Sequence, residues 1–141
     1  MSAPDPTSAA AVWRRLGTLV DAERQRVQSL ARELDLSVPQ LLALRELDPD
    51  APQPMGRLAC AMTCDSSNIT GLINRLEKRG LVERQPDPSD RRVRVLALTD
   101  EGRRVRADAL ARWDACPAAL ADLDPAELAQ LNRALDRIVE D

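Results

Sequence analysis

The chain has 141 residues, 44% of them hydrophobic and 30% charged, with a formal net charge of −3, which suits one soluble domain with a substantial core. It contains no histidine, which excludes the Ser–His–Asp triad, Cys–His catalysis and any zinc site with an imidazole ligand. Phe and Tyr are also absent, so the core must be built from Leu, Val, Ile and Ala around Trp13 and Trp113, a composition that points to helices.

Residues 1–7, with Pro4 and Pro6, are expected to form a loose tail. No apolar segment follows a basic start, so no signal peptide is expected. Nor does any run approach the ~18 apolar residues of a membrane span, and a cytoplasmic location follows as the expectation. Over residues 8–34, Val12, Leu16, Leu19, Val27, Leu30 and Leu34 recur between charges and predict a long amphipathic helix. A second helix opens at "SVPQ", with Ser37 as N-cap and Gln40 completing a capping box. "DPDAPQP" (48–54) reads as a loop.

Met55, Leu58, Ala59 and Met62 then follow helical spacing and predict a short helix with one buried face. "TCD" (63–65) interrupts it. Ile69, Leu72, Ile73 and Leu76 resume the spacing until Gly80, a C′ residue, closes the helix. Two helices joined by so short a turn form a helix-turn-helix unit. "LVERQ" and "VRVLAL" flank "PDPSDRR" and predict a β-hairpin. Thr99 caps a further helix that is expected to run on until Pro117. Asp124 caps the last one, with Pro125 at N1 and Glu127 closing a second capping box. Leu128, Leu131, Leu135 and Ile138 form its apolar stripe.

A helix-turn-helix followed by a hairpin is a winged helix, so the predicted fold is mainly α with a small β-hairpin wing, a winged helix-turn-helix flanked by further helices. Residues 54–106 hold eleven basic groups against seven acidic ones, a surplus of four, while residues 1–53 and 107–141 carry net charges of −2 and −5. A basic middle between acidic ends marks a polyanion partner, and double-stranded DNA is the first candidate. With the four apolar residues of the second reading helix facing inward, Ser67, Asn68, Thr70, Gly71, Asn74, Arg75 and Lys78 face outward. Hydroxyls, amides and a guanidinium in that order suit base edges and phosphates in a major groove. Ser66 joins them at the amino end, where free N–H groups attract phosphate. At the hairpin tip, Arg91 and Arg92 serve no core, and a narrow tip suits the negative potential of a minor groove. Asp90 beside them is placed to orient a guanidinium.

The stretch "CDSSNITGLINRLEKRGLVERQPDPSDRRVRVLALTDEGR" resembles the signature of the MarR (multiple antibiotic resistance regulator) family, and "LSVPQLLALREL" resembles its second helix. The resemblance implies a dimeric winged-helix transcriptional regulator of six helices and one wing, usually a repressor, released from DNA by a small phenolic or lipophilic effector. It implies DNA contacts from Ser67, Asn68, Thr70 and Arg75, and an Asp-x-Arg wing pair of Asp90 and Arg92. Gly71 departs from the arginine that many members carry there. The whole chain, residues 1–141, is then one MarR-type domain: residues 37–98 form the DNA-binding part, and 8–34 and 100–141 the dimerisation helices. Trp13, Met55 and Met62 are candidate lining residues for an effector pocket, with core packing as the alternative.

Three cysteines, Cys60, Cys64 and Cys116, are too few for a disulfide framework. Cys60 and Cys64 flank the turn and are expected to be small buried apolar residues rather than redox or metal groups. No metal-ligand cluster, Gly-rich phosphate loop or nucleophile–base pair appears, so neither a cofactor nor enzymatic activity is expected. The competing reading is a winged-helix module that binds protein rather than DNA; it would not need arginines at the wing tip.

Overall fold

The computed structural model describes residue 5 and residues 7–62 and 66–140, with the backbone alone at 66 and 67. Among these residues, seven helices and a small antiparallel sheet follow the order α1 (Ala9–Glu33), α2 (Val38–Glu46), β1 (Gln53–Pro54), α3 (Met55–Ala61), α4 (Ser66–Lys78), β2 (Val82–Pro86), β3 (Arg94–Leu98), α5 (Asp100–Trp113), α6 (Ala118–Ala121) and α7 (Pro125–Val139). The architecture is a winged helix carried between long flanking helices.

The caps lie where the sequence puts them. Gln40 donates its backbone N–H to Ser37 Oγ at 3.3 Å, and Ser37 N–H returns a bond to Gln40 Oε1 at 2.7 Å. Asp124 and Glu127 close the reciprocal pair at α7, at 2.9 Å each way. Each box satisfies amides that the first helical turn would leave without partners.

The core sits where α2, α3, α4 and the sheet meet. Leu41, Leu44, Leu58, Ile69, Ile73, Leu76, Val82, Leu96 and Leu98 are all at most 2% exposed. The inward face predicted for α4 is thus the buried one. Arginines fasten the long helices to this core through orphan carbonyls at helix ends. Arg106 of α5 donates to Leu44 O at 3.1 Å and to Arg45 O at 3.2 Å, at the carboxyl end of α2. Arg26 of α1 donates to Arg112 O at 2.7 Å and also to Trp113 O, at the end of α5.

The structure departs from the sequence reading in five places. Gln53 and Pro54, expected in a loop, pair with Leu96 and Val95, so the wing strands belong to a three-stranded sheet of order β1-β3-β2. Proline is tolerated there because β1 is an edge strand. On α3, Leu58 alone is buried; Met55, Ala59 and Met62 are half-buried against the core. Helix α5 stops at Trp113, its last turn closed by Asp114 N–H to Leu110 O at 2.8 Å, rather than running to Pro117. Residues 118–121 add a one-turn helix, making seven helices among the described residues where six were expected. Cys60, expected to be buried, is exposed. The predicted break at 63–65, with Cys64, lies outside the described residues.

Two apolar surfaces stay uncovered within the chain. In the amino-terminal half of α1, Val12 is 44% exposed, Trp13 74%, Leu19 65% and Val20 50%. No residue of α7 is buried, although its stripe of Leu128, Leu131, Leu135 and Ile138 is formed as predicted.

Candidate nucleic-acid interface

Helix α4 and the wing are joined by a compact knot. Gly80, at φ +68°, takes the left-handed conformation that ends α4. Its N–H reaches Glu77 O at 2.9 Å, and the Leu81 N–H reaches Leu76 O at 3.0 Å, the paired bonds of a Schellman cap. Thr99 then ties this turn to the wing and to α5. Its hydroxyl donates to Gly80 O at 2.6 Å and accepts the Gly102 N–H at 3.0 Å, while its own N–H reaches Leu81 O at 3.1 Å.

Strands β2 and β3 pair from Val82 with Leu98 to Pro86 with Arg94. The turn beyond them is built by two aspartates. Asp87 Oδ1 accepts the Ser89 N–H at 2.7 Å and the Asp90 N–H at 3.3 Å. These backbone bonds, the Ser89 amide foremost, hold the Asp87 carboxyl below its ordinary pKa. Asp90 Oδ1 accepts the Arg92 backbone N–H at 3.0 Å. Asp90 thus shapes the loop with one carboxylate oxygen, beside Arg91 and Arg92. Arg91 and Arg92 stand exposed at the tip.

The cations of residues 54–106 divide into two groups. Arg79, Arg84, Arg103, Arg104 and Arg106 are engaged within the chain: Arg79 with Asp35, Arg84 with Glu77, Arg103 with Pro49 O and Asp100, Arg104 with Glu101, and Arg106 with the end of α2. Among the described residues, the side chains of Arg57, Arg75, Lys78, Arg91, Arg92 and Arg94 have no such partner. Apart from Arg57 on α3, these lie on α4 and the wing. The charge surplus of the middle segment is thus concentrated at the reading head.

The other predicted residues fall on the same face. Asn68, Thr70, Gly71, Asn74, Arg75 and Lys78 are all exposed. Thr70 Oγ1 is 3.9 Å from Met55 Sδ. Beyond its chain neighbours and the backbone of its own helix, no described atom lies within 4 Å of where a Cβ on Gly71 would stand, so the glycine leaves open space rather than filling a tight approach. Ser66 and Ser67 occupy the amino end of α4, their side chains outside the described set. Asn74 is engaged by Arg84 of β2 at 2.7 Å, a contact between reading helix and wing that the sequence reading missed. The available signal was an arginine seven residues beyond Glu77 across a Gly turn.

A groove of about 340 Å³ runs between the amino end of α2 and α4, lined by Ser37, Pro39, Met62, Asn68, Leu72 and Arg75. Met62 lines it, but Met55 and Trp13 do not, so the three candidate effector residues are not brought together there. No group of three or more metal-ligating side chains occurs among the described residues. Among the described residues, no helix is long and apolar enough to cross a membrane.

Cys60 is exposed, so Cys60→Ser is expected to leave thermal stability nearly unchanged and DNA affinity within about twofold in fluorescence anisotropy, since a surface substitution of equal size loses little. A peroxide that releases DNA from the wild type but not from the serine variant would reverse this reading.

Residues 36–93 match the MarR family. Among curated relatives, the chain is 37% identical over 73 residues to an uncharacterized HTH-type transcriptional regulator, YfiV, of Bacillus subtilis, covering 52% of this chain and 46% of that protein. It is 32% identical over 105 residues to the HTH-type transcriptional repressor NicR of Pseudomonas putida, covering 72% of this chain and 66% of the repressor. The chain thus spans about half to two thirds of the length of these two relatives. The structure superposes on that of CouR from Rhodococcus jostii, solved with p-coumaroyl-CoA bound, with a TM-score of 0.65, 32% identity and coverage of 97% of this chain and 95% of that one. Fold, reading-head sequence and relatives agree: the chain belongs to the MarR family.

Proposed function

We propose that the chain is a DNA-binding transcriptional regulator, a repressor that binds a pseudo-palindromic operator as a homodimer in the cytoplasm and yields to a small lipophilic or phenolic effector. The observation that carries the reading is the placement of cations whose side chains have no partner among the described residues: Arg75 and Lys78 on the outward face of α4, and Arg91, Arg92 and Arg94 on the wing. A polyanion neutralises such a set, and duplex DNA offers phosphates at matching intervals. In this reading α4 enters the major groove with Ser66, Ser67, Asn68, Thr70, Gly71, Asn74, Arg75 and Lys78 toward bases and phosphates. The wing tip follows the flanking minor groove, Arg92 inserted and Arg91 nearer the backbone.

The division of labour follows the chain. Residues 37–98 form the DNA reader, and 8–34 with 100–141 the dimer helices. The uncovered apolar faces of α1 and α7 favour a second copy as their cover, because large exposed apolar patches mark association sites. The repressor relative and the CoA-ester-bound relative support the regulatory and ligand-responsive parts. Nothing in the reading calls for catalysis.

Footprinting on the DNA flanking the gene tests the function: an imperfect inverted repeat should be protected, with half-site centres about one helical turn (~10 bp) apart. One unpaired half-site at full occupancy would exclude the dimeric reader. Leu131→Glu with Ile138→Glu tests the dimer separately. The two side chains are 38% and 55% exposed, so the protomer should stay folded while sedimentation shifts to the monomer. A dimer that persists would place the interface elsewhere.

A further inference from the structure

Asn74 follows Gly71 by three positions and precedes Lys78 by four, which places it on the outward face of α4. Its amide is already half used. The guanidinium of Arg84, reaching across from β2, meets the Glu77 carboxylate with one nitrogen and lies 2.7 Å from Asn74 Oδ1 with the other. The Arg84 backbone N–H also donates to Glu77 Oε1, at 3.3 Å, which fixes the arginine in place. Its side chain is 23% exposed and that of Glu77 34%, so the clamp is partly shielded from water, while Asn74 is exposed. A guanidinium carries five donors and no acceptor. The part of the amide turned toward it must therefore be the carbonyl oxygen, and the NH₂ is left for any partner outside.

We infer that Asn74 is a specificity-determining residue that presents its NH₂ to DNA, and that Arg84, by holding the carbonyl oxygen toward β2, is the positioning residue which makes it so. This rests on the DNA-binding reading above. A free asparagine reads adenine with both ends of its amide, the carbonyl accepting from N6–H₂ and the NH₂ donating to N7. Clamped by Arg84, the Asn74 oxygen is turned toward β2 with one of its two lone pairs taken, which makes it a poor acceptor for N6. The NH₂ matches edges that present acceptors alone: N7 and O6 of guanine, or O4 of thymine. Cytosine, which shows a donor there, is the worst match. The same clamp pairs the charge of Glu77, a carboxylate of α4.

Selection from a randomised duplex library with the full-length protein tests the assignment. Asn74→Ala marks the base position concerned, as the one whose preference disappears. There the wild type should prefer guanine or thymine over adenine by about threefold to tenfold, the range of one neutral hydrogen bond. Arg84→Met keeps the arginine stem's volume but frees Oδ1, and should move the preference to adenine. Asn74→Asp keeps the acceptor that Arg84 holds and replaces the NH₂ with an oxygen, and should move it to cytosine. Two opposite shifts distinguish positioning from a general loosening of the wing, and if Arg84→Met enriches nothing, Asn74→Asp decides alone. Adenine preferred by the wild type at that position, an unmoved preference in Arg84→Met, or no position altered by Asn74→Ala would overturn the assignment. A wild type that enriches no sequence at all would instead remove the DNA-binding reading, and this one with it.

Discussion

Gly102→Ala should lower the melting temperature by roughly 5–10 °C, the shift expected when overpacking of about 2–3 kcal/mol is forced on a domain of this size. Helix propensity alone predicts the opposite sign, because alanine inside a helix is favoured over glycine by about 1 kcal/mol. Geometry decides between them. A Cβ on Gly102 would lie 1.9 Å from Leu81 O and 2.9 Å from Leu81 C, both backbone atoms that no rotamer change moves aside. That carbonyl is also the acceptor for Thr99 N–H, so displacing it strains the link between α4, the wing and α5. DNA affinity should fall along with stability, since the relative placement of reading helix and wing depends on this junction. Thermal unfolding followed by circular dichroism checks it, and a variant that melts above the wild type would show that the close approach is absent.

The helix-turn-helix is legible in the sequence because its information is local. The period of Ile69, Leu72, Ile73 and Leu76, the Ser37 cap and the Gly80 stop are each read within one or two turns, and the structure places all of them as read. Strand β1 is not legible. Two residues carry no alternation, and their pairing with Leu96 and Val95 spans some forty positions. The end of α5 escapes for a similar reason: alanine-rich sequence continues past Trp113, and the carbonyls there are taken by Arg26 from the far end of the chain. The exposure of Cys60 depends on which neighbours α3 has, which its own spacing does not reveal.

The arginines illustrate the limit best. Composition shows a basic segment but does not say which cations are consumed internally. Arg106 finds its acceptor 62 residues away at Leu44, Arg103 finds Pro49 O 54 residues away, and Arg84 takes up Asn74 and Glu77. Once those are subtracted, the wing arginines stand out more sharply than the sequence allows. The backbone contact of Asp90 is not legible in composition either, because in a tight turn the N–H two residues on is a donor that only the folded loop brings to the carboxylate.

Arg92→Ala should weaken DNA binding by about 1–3 kcal/mol, roughly 5- to 150-fold, on every sequence and most where A·T-rich flanks narrow the minor groove. Asn68→Ala and Arg75→Ala should differ in kind, costing a similar amount but relaxing the preference at particular base pairs. The fold should survive Arg92→Ala, because the exposed guanidinium has no partner among the described residues and little packing to lose. Salt separates the two roles. Each phosphate contact removed per subunit should flatten the slope of log K against log salt by about 0.9, through the counterions no longer released.

The direct measurement is the operator affinity of wild type, Arg91→Ala, Arg92→Ala and the double variant, titrated across a range of salt concentrations. A DNA-gripping wing predicts lower affinity in both single variants, a shallower salt slope for Arg91→Ala, and a double variant weaker than either. Wild-type affinity and wild-type slope in both single variants and in the double variant would contradict it.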